Sequence, residues 1–116
     1  MSYVFRKWRQ GDRLPSNWVG KPPPELTYVL FFSNLQIGAA ILGGLGPNNI
    51  LFIEIFEPYR RQGHGRVFVN YIEKEVKRMG HDYITAFPVI DDTFWAKLGF
   101  ELEKIIDGDK LMKKKI

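Results

Sequence analysis

The chain has 116 residues, 45% of them hydrophobic and 15% aromatic, with a formal net charge of +4, a size that supports one compact core and argues against two. It has no cysteine, which excludes a disulfide framework, a thiolate nucleophile and a cysteine-ligated zinc site, and its two separate histidines do not make a zinc site, so no metal dependence is expected. No apolar run approaches the ~20 residues of a membrane span and the first residues lack a signal-peptide core, so a cytoplasmic protein without membrane contact is expected, its basic excess suited to an anionic partner.

Tyr3 to Trp8 alternates weakly and is predicted as a first strand. Gly11 to Glu25, with Pro15 and Pro22 to Pro24, sustains neither a helix nor a central strand and reads as an ordered loop. Leu26 to Phe32 and Leu35 to Leu42 are β-rich runs joined by a tight turn at Ser33 and Asn34, and Gly43 to Asn49 makes the next turn. Ile50 to Phe56 is apolar on both alternating faces, as in a strand covered on both sides, and is expected to be the central strand.

From Arg61 the period changes. Phe68, Tyr71, Ile72, Val76 and Met79 fall on one face of a helix, with Glu73 and Lys77 paired on the solvent side and Gly80 as the C-terminal cap. Asp82 to Phe87 reads as a strand, and Asp91 or Asp92 caps a short helix, Thr93 to Leu98, ended by Gly99. Phe100 to Ile106 and Lys110 to Ile116 close the chain as a hairpin turned at Asp107 and Gly108. The order β, loop, β, β, β, α, β, α, β, β contains no repeat and predicts a single α/β or α+β domain.

Between the central strand and the first helix lies Arg60-Arg-Gln-Gly63-His-Gly65-Arg66. Two glycines one residue apart in that place mean that backbone amides approach something negative, commonly a phosphate. A dinucleotide fingerprint requires a third glycine where Phe68 stands, and a P-loop requires Lys-Ser/Thr where Arg66 and Val67 stand. What remains, Arg60-x-x-Gly63-x-Gly65 after Ile53 to Tyr59, resembles the acetyl-CoA motif of the GNAT superfamily of N-acetyltransferases. A second segment, Phe94-Trp-Ala-Lys-Leu-Gly-Phe100, is similar to the family's FYxKxGF segment after the next strand. The resemblance runs from Leu26 to Ile116 by element order.

That resemblance implies a mixed, mostly antiparallel twisted sheet with a splayed central strand and about two helices, in one domain, 1–116, whose divergent Pro-rich segment 1–25 replaces the usual first helices. It implies transfer of an acetyl group from acetyl-CoA to an amine by direct attack in a ternary complex. The amides of Arg61 to Arg66 would face the coenzyme A pyrophosphate beside Arg60, with the helix dipole favouring the charge and glycine at 63 and 65 admitting oxygen where a Cβ would clash. Gln62, His64 and Arg66 are expected on the rim, and the backbone of Ile53 and Ile55 along the pantetheine arm.

For the chemistry, the family's usual tyrosine is replaced by Trp95, whose indole can pack the acyl end or polarise the sulfur but cannot give up its proton. Tyr83, Tyr59 or solvent then protonates the thiolate. Glu54, the only charge inside the central strand, is the candidate base, its alternative a place facing the cleft or water. A glutamate found earlier on this strand in some relatives is here Asn49, which could hold a water. The short segment Gly11 to Glu25 leaves an open acceptor side for a protein tail or a bulky amine, or one completed by a second subunit in a homodimer, which such relatives often form through the closing hairpin; Trp18, Tyr28, Phe31 and Phe32 are candidate linings. Two other classes stand beside this reading: a non-catalytic coenzyme A-binding or regulatory domain, favoured by Trp95 and Asn49, and a basic nucleic-acid-binding module using Arg6, Lys7, Arg9 and Lys113 to Lys115 with Trp8 as a stacking side chain.

Overall fold

The computed structural model describes residues 2–116. Strands β1 (Tyr3–Lys7), β2 (Thr27–Phe32), β3 (Leu35–Leu42), β4 (Asn49–Ile55), β5 (Tyr83–Val89), β6 (Glu101–Ile106) and β7 (Asp109–Lys115) form one sheet with helices α1 (His64–Arg78) and α2 (Thr93–Lys97). The sheet order is β1-β2-β3-β4-β5-β7-β6, and every neighbouring pair is antiparallel except β4 and β5. The element order matches the one read from sequence, with 3-10 turns added at Pro24–Leu26 and Glu57–Tyr59. Ser33 and Asn34 at one hairpin, and Asp107 and Gly108 at the other, all take positive φ, the turn geometry that matches strand twist.

β4 is the middle strand, and the two sheet faces are covered differently. On one face α1 buries Phe68, Val69, Ile72 and Val76 against Tyr28, Leu30, Ile37 and Ala40. Tyr71 and Met79 of the expected stripe are only partly buried, because Val69 shares the inner face. The helix ends as expected: Gly80 has φ 101°, its N–H donates to the Lys77 carbonyl (3.0 Å), and the His81 N–H donates to that of Val76 (3.3 Å). Glu73 corrects the expected surface pair. It binds Lys114 of β7 (3.0 Å) rather than Lys77, since its helix position faces the neighbouring strand instead of open solvent.

Gly38 of β3 sets how closely these layers meet. A Cβ there would stand 2.8 Å from the Glu54 carbonyl oxygen and 3.1 Å from the Phe68 ring, so a bare backbone lets α1 settle on the β3–β4 pair.

The other face carries a small apolar cluster, Val29, Ala39 and Phe56, covered by Trp8, Phe31, Tyr59 and the segment between β1 and β2. Polar groups hold that segment down. Asp12 accepts from both terminal guanidinium nitrogens of Arg6 (2.7 and 3.2 Å) and from the Arg9 N–H (2.8 Å). The Gln36 amide pairs with the backbone of Arg13 (2.8 and 3.0 Å), whose guanidinium lies 3.7 Å from the Phe56 ring centroid. Among the described residues, no helix is long and apolar enough to cross a membrane.

Candidate functional site

β4 and β5 pair only at Asn49 with Thr85 and Ile50 with Ala86, then diverge. The Phe56 N–H donates to the Ile37 carbonyl (2.8 Å). Alternation along β4 therefore turns the backbone of Glu54 toward β3 and that of Ile53 and Ile55 toward the opening. A cleft of about 580 Å³ lies there, with Ile53, Ile55 and Tyr59 on one side and Phe94, Trp95 and Leu98 of the α2 region on the other.

The mouth of the cleft is the start of α1. Arg61 (φ 64°) and Gly63 (φ 84°) turn the chain so that helical geometry begins at His64. Val67 is the first amide to bond back, to the Gly63 carbonyl (3.4 Å). The amides of Arg61 to Arg66 donate to no acceptor among the described residues, which together with the helix dipole suits this end to an anion. A Cβ on Gly63 would meet nothing within 4 Å, so its left-handed conformation is what calls for glycine. At Gly65 space decides: a Cβ would lie 3.2 Å from the Phe94 ring.

The basic residues here divide into two kinds. Arg61, Arg66 and Lys97 line the cleft, are exposed, and form no ion pair among the described residues. Arg60 also lines the cleft, but its guanidinium is engaged by the fold: it binds the Ile55 carbonyl (2.6 Å), Glu57 (2.5 Å) and Glu54 (3.2 Å), and so clamps the turn that follows β4. His64 corrects the expectation of a rim residue. It is 5% exposed, its Nδ1 lies 2.7 Å from the Tyr3 hydroxyl, and its ring packs on Phe32, because position 64 shares the inward stripe with Phe68 and Ile72. Gln62 remains exposed, its side-chain amide donating to the Pro58 carbonyl (3.4 Å).

Trp95 sits in the cleft wall, 8% exposed, edge-on to Phe94 and Phe100. Its indole N–H has no protein acceptor among the described residues and is not sealed from solvent. Glu54, the candidate base, has both oxygens occupied by the Ser16 N–H (2.7 Å), the Ser16 hydroxyl (2.9 Å) and Arg60, which makes it an anchor for the β1–β2 segment. Asn49 is fully buried with its polar atoms engaged by the protein: its Nδ2 donates to the carbonyls of Gly43 (2.8 Å) and Phe87 (3.0 Å), and its Oδ1 accepts from Thr85 (2.8 Å).

Tyr83 is not brought to the cleft. It starts β5 opposite Lys115, beneath the Lys113 ammonium (4.5 Å), whereas the opening lies at the other end of that strand. Tyr59 does line the cleft and carries the one hydroxyl among its described lining residues. Of the candidate acceptor linings, Tyr28 is buried under α1, where its hydroxyl donates to Glu75 (2.9 Å); burial and then that carboxylate push its pKa up. Phe31 lies beneath Arg6 and Phe32 against Tyr3, while Trp18 stands edge-on to Phe52 on the loop face (5.6 Å). Phe94, Lys97 and Leu98 were given no role from sequence, although all three lie in the segment that carries the second resemblance; their place against Gly65 is a tertiary fact.

No protein-family model and no curated protein matches the sequence. Solved structures do match. A GNAT family acetyltransferase from Elizabethkingia anophelis with acetyl-CoA bound superposes with a TM-score of 0.74 over 98% of both chains, at 15% identity. This chain has the GNAT fold. A GCN5-related N-acetyltransferase from Rhodopseudomonas palustris (TM-score 0.65, 21% identity) and the PaiA N-acetyltransferase of Thermoplasma acidophilum in complex with coenzyme A (0.67, 23%) each match 78% of this chain. The likeness spans 61% and 60% of the lengths of those two proteins. The GNAT fold accounts for the parallel β4–β5 pair that opens into the cleft, the feature that distinguishes this sheet from a plain antiparallel meander.

Proposed function

We propose that the protein is an N-acetyltransferase that moves an acetyl group from acetyl-CoA to an amine bound in the same complex. The observation that carries this reading is the run of amides from Arg61 to Arg66, without a partner among the described residues, at the mouth of a cleft that continues along the open edge of β4. The residues fit the cofactor at each point. The amides and the positive end of α1 suit a pyrophosphate, and the cations Arg61, Arg66 and Lys97, which form no ion pair among the described residues, suit its remaining charge. The outward backbone groups of Ile53 and the Ile55 N–H suit the amides of the pantetheine arm.

Acetyl-CoA supplies a thioester, whose carbonyl carbon gains a bond to the amine nitrogen as its bond to sulfur breaks, one proton leaving nitrogen and one arriving on the thiolate. The chain contributes the surroundings of that exchange. Phe94, Trp95 and Ile53 keep water from the reacting end, which limits loss of the acetyl group to hydrolysis. The Trp95 N–H donates a hydrogen bond and orients, and solvent delivers the proton to the departing thiolate, since Tyr59 lies in the turn after β4 at the cradle end. A homodimer through the closing hairpin belongs to the same reading, supported by the exposed Leu102 and Ile105 on edge strand β6.

A second reading, a coenzyme A-binding regulatory domain, is favoured by one observation: Glu54 and Asn49 spend their polar atoms on the fold. Calorimetric titration with acetyl-CoA and desulfo-CoA separates the possibilities. Binding by the wild type that is lost in Gly65→Val, whose side chain would enter the space between the cradle and Phe94, supports the cofactor site. Thiol release with any member of an amine panel supports the enzyme, binding without turnover supports the regulatory domain, and no binding by folded protein overturns both.

A further inference from the structure

We propose that a second cavity, on the far side of Trp95 and Ile53, is the acceptor site, and that it takes a primary amine borne on a compact apolar body; this rests on the acetyltransferase reading. The cavity measures about 320 Å³, and Leu51, Phe52, Pro88, Val89 and Ile90 form its walls. Ile53 and Trp95 line both cavities, so the two meet where β4 and β5 part. A cofactor arm that enters at the amide cradle and follows β4 from Ile55 to Ile53 reaches this partition from one side. A nucleophile can then approach the same point from the other.

The walls select the body of that nucleophile. Ile90 at the rim is 86% exposed, and Phe52 is half-buried with Trp18 edge-on beside it, so the mouth presents apolar surface that the fold itself does not use. The cavity is at the small end of the range for ligand pockets, which suits one aryl or branched alkyl group and is small for a folded segment.

Charge selects the head group. Among the described residues, Asp91 is the one ionisable side chain lining this cavity. Its carboxyl is held below the usual aspartate range by the Thr93 backbone N–H, which it accepts at 3.0 Å, so it remains an anion that draws in an ammonium. The cofactor cleft is instead bordered by Arg61, Arg66 and Lys97, with Glu54 there paired to Arg60, a net positive border that repels one. Beyond Asp91 the apolar walls favour the neutral amine, the form that attacks. A polyamine would bring further charges with no partner there, and an amino acid would bring a carboxylate toward Asp91.

The test uses the full chain and two separate readouts. Calorimetry measures acetyl-CoA binding, and phenethylamine is titrated into protein saturated with desulfo-CoA; steady-state rates then compare phenethylamine and isoamylamine with spermidine, glutamate and an alanine-initiated peptide. Phenethylamine should bind the desulfo-CoA complex and exceed spermidine and glutamate in kcat/KM by about tenfold or more. Ile90→Asp should raise the KM for phenethylamine about tenfold with acetyl-CoA affinity unchanged, and Asp91→Asn, which keeps an oxygen for Thr93, should raise it several-fold. Acetyl-CoA binding together with equal or better use of spermidine, glutamate or the peptide, or with no effect of either variant, would overturn this proposal alone. Absence of acetyl-CoA binding in folded protein would overturn it together with the acetyltransferase reading.

Discussion

The two faces of the sheet are covered by different physics. Under α1, Phe68, Val69, Ile72 and Val76 are sealed side by side in the main apolar cluster, and the contact is close because Gly38 has no side chain. Across the sheet, the β1–β2 segment brings few apolar groups and is held by directed bonds: Asp12 to Arg6 and Arg9, Gln36 to Arg13, Glu54 to Ser16. Burial on the first face is shared among many atoms, so losing one side chain leaves a hole. On the second, each bond ends in exposed or half-buried groups that water can partly satisfy, and the loss is local.

This contrast ranks substitutions in chemical denaturation. Phe68→Ala should be the most costly, about 3–5 kcal/mol, because a fully enclosed ring is removed from between α1 and the sheet. Gly38→Ala should follow at about 1–3 kcal/mol, since a methyl group would meet the Glu54 carbonyl and the Phe68 ring. Glu54→Gln should cost about 1–2 kcal/mol, loosening the Ser16 and Arg60 contacts while leaving acetyl-CoA affinity unchanged. A loss equal to that of Phe68→Ala would show that the segment is an integral part of the core.

The smallest effect should be that of Asp12→Asn, and it carries a pH signature. The Arg6 guanidinium, more than any other neighbour, holds the Asp12 carboxyl below its ordinary range. A carboxyl whose pKa is lower folded than unfolded stabilises fully above the unfolded value, and that contribution fades as pH falls through the folded one. Wild type and Asp12→Asn should therefore differ at neutral pH and converge in acid, below about pH 4. A difference that persists into strong acid would assign the role of Asp12 to its shape alone.

Legibility in the sequence followed the same division. The strands, both helices and both hairpin turns could be read because period and turn chemistry act between neighbours in the chain, and Gly80 could be read as a cap for the same reason. The cradle was legible as a strand, Gly-x-Gly and helix in succession. Individual side chains at the site were less so. Arg60, His64 and Gln62 look alike as polar members of one motif, yet one clamps the turn after β4, one turns into the core against Tyr3, and one stays in solvent. Glu54 and Asn49 looked available for chemistry because the sequence does not show that Ser16, Gly43, Thr85 and Phe87 converge on them.

The sequence by itself determined the order of elements, the central place of β4 and the amide-rich start of α1, since each depends on patterns within a few residues. The tertiary structure decided where β4 and β5 part, that Phe94 packs against Gly65, that Trp95 and Ile53 separate two cavities, and which polar side chains the fold consumes. Those outcomes depend on the packing of segments up to dozens of residues apart, whose mutual distance no local pattern encodes.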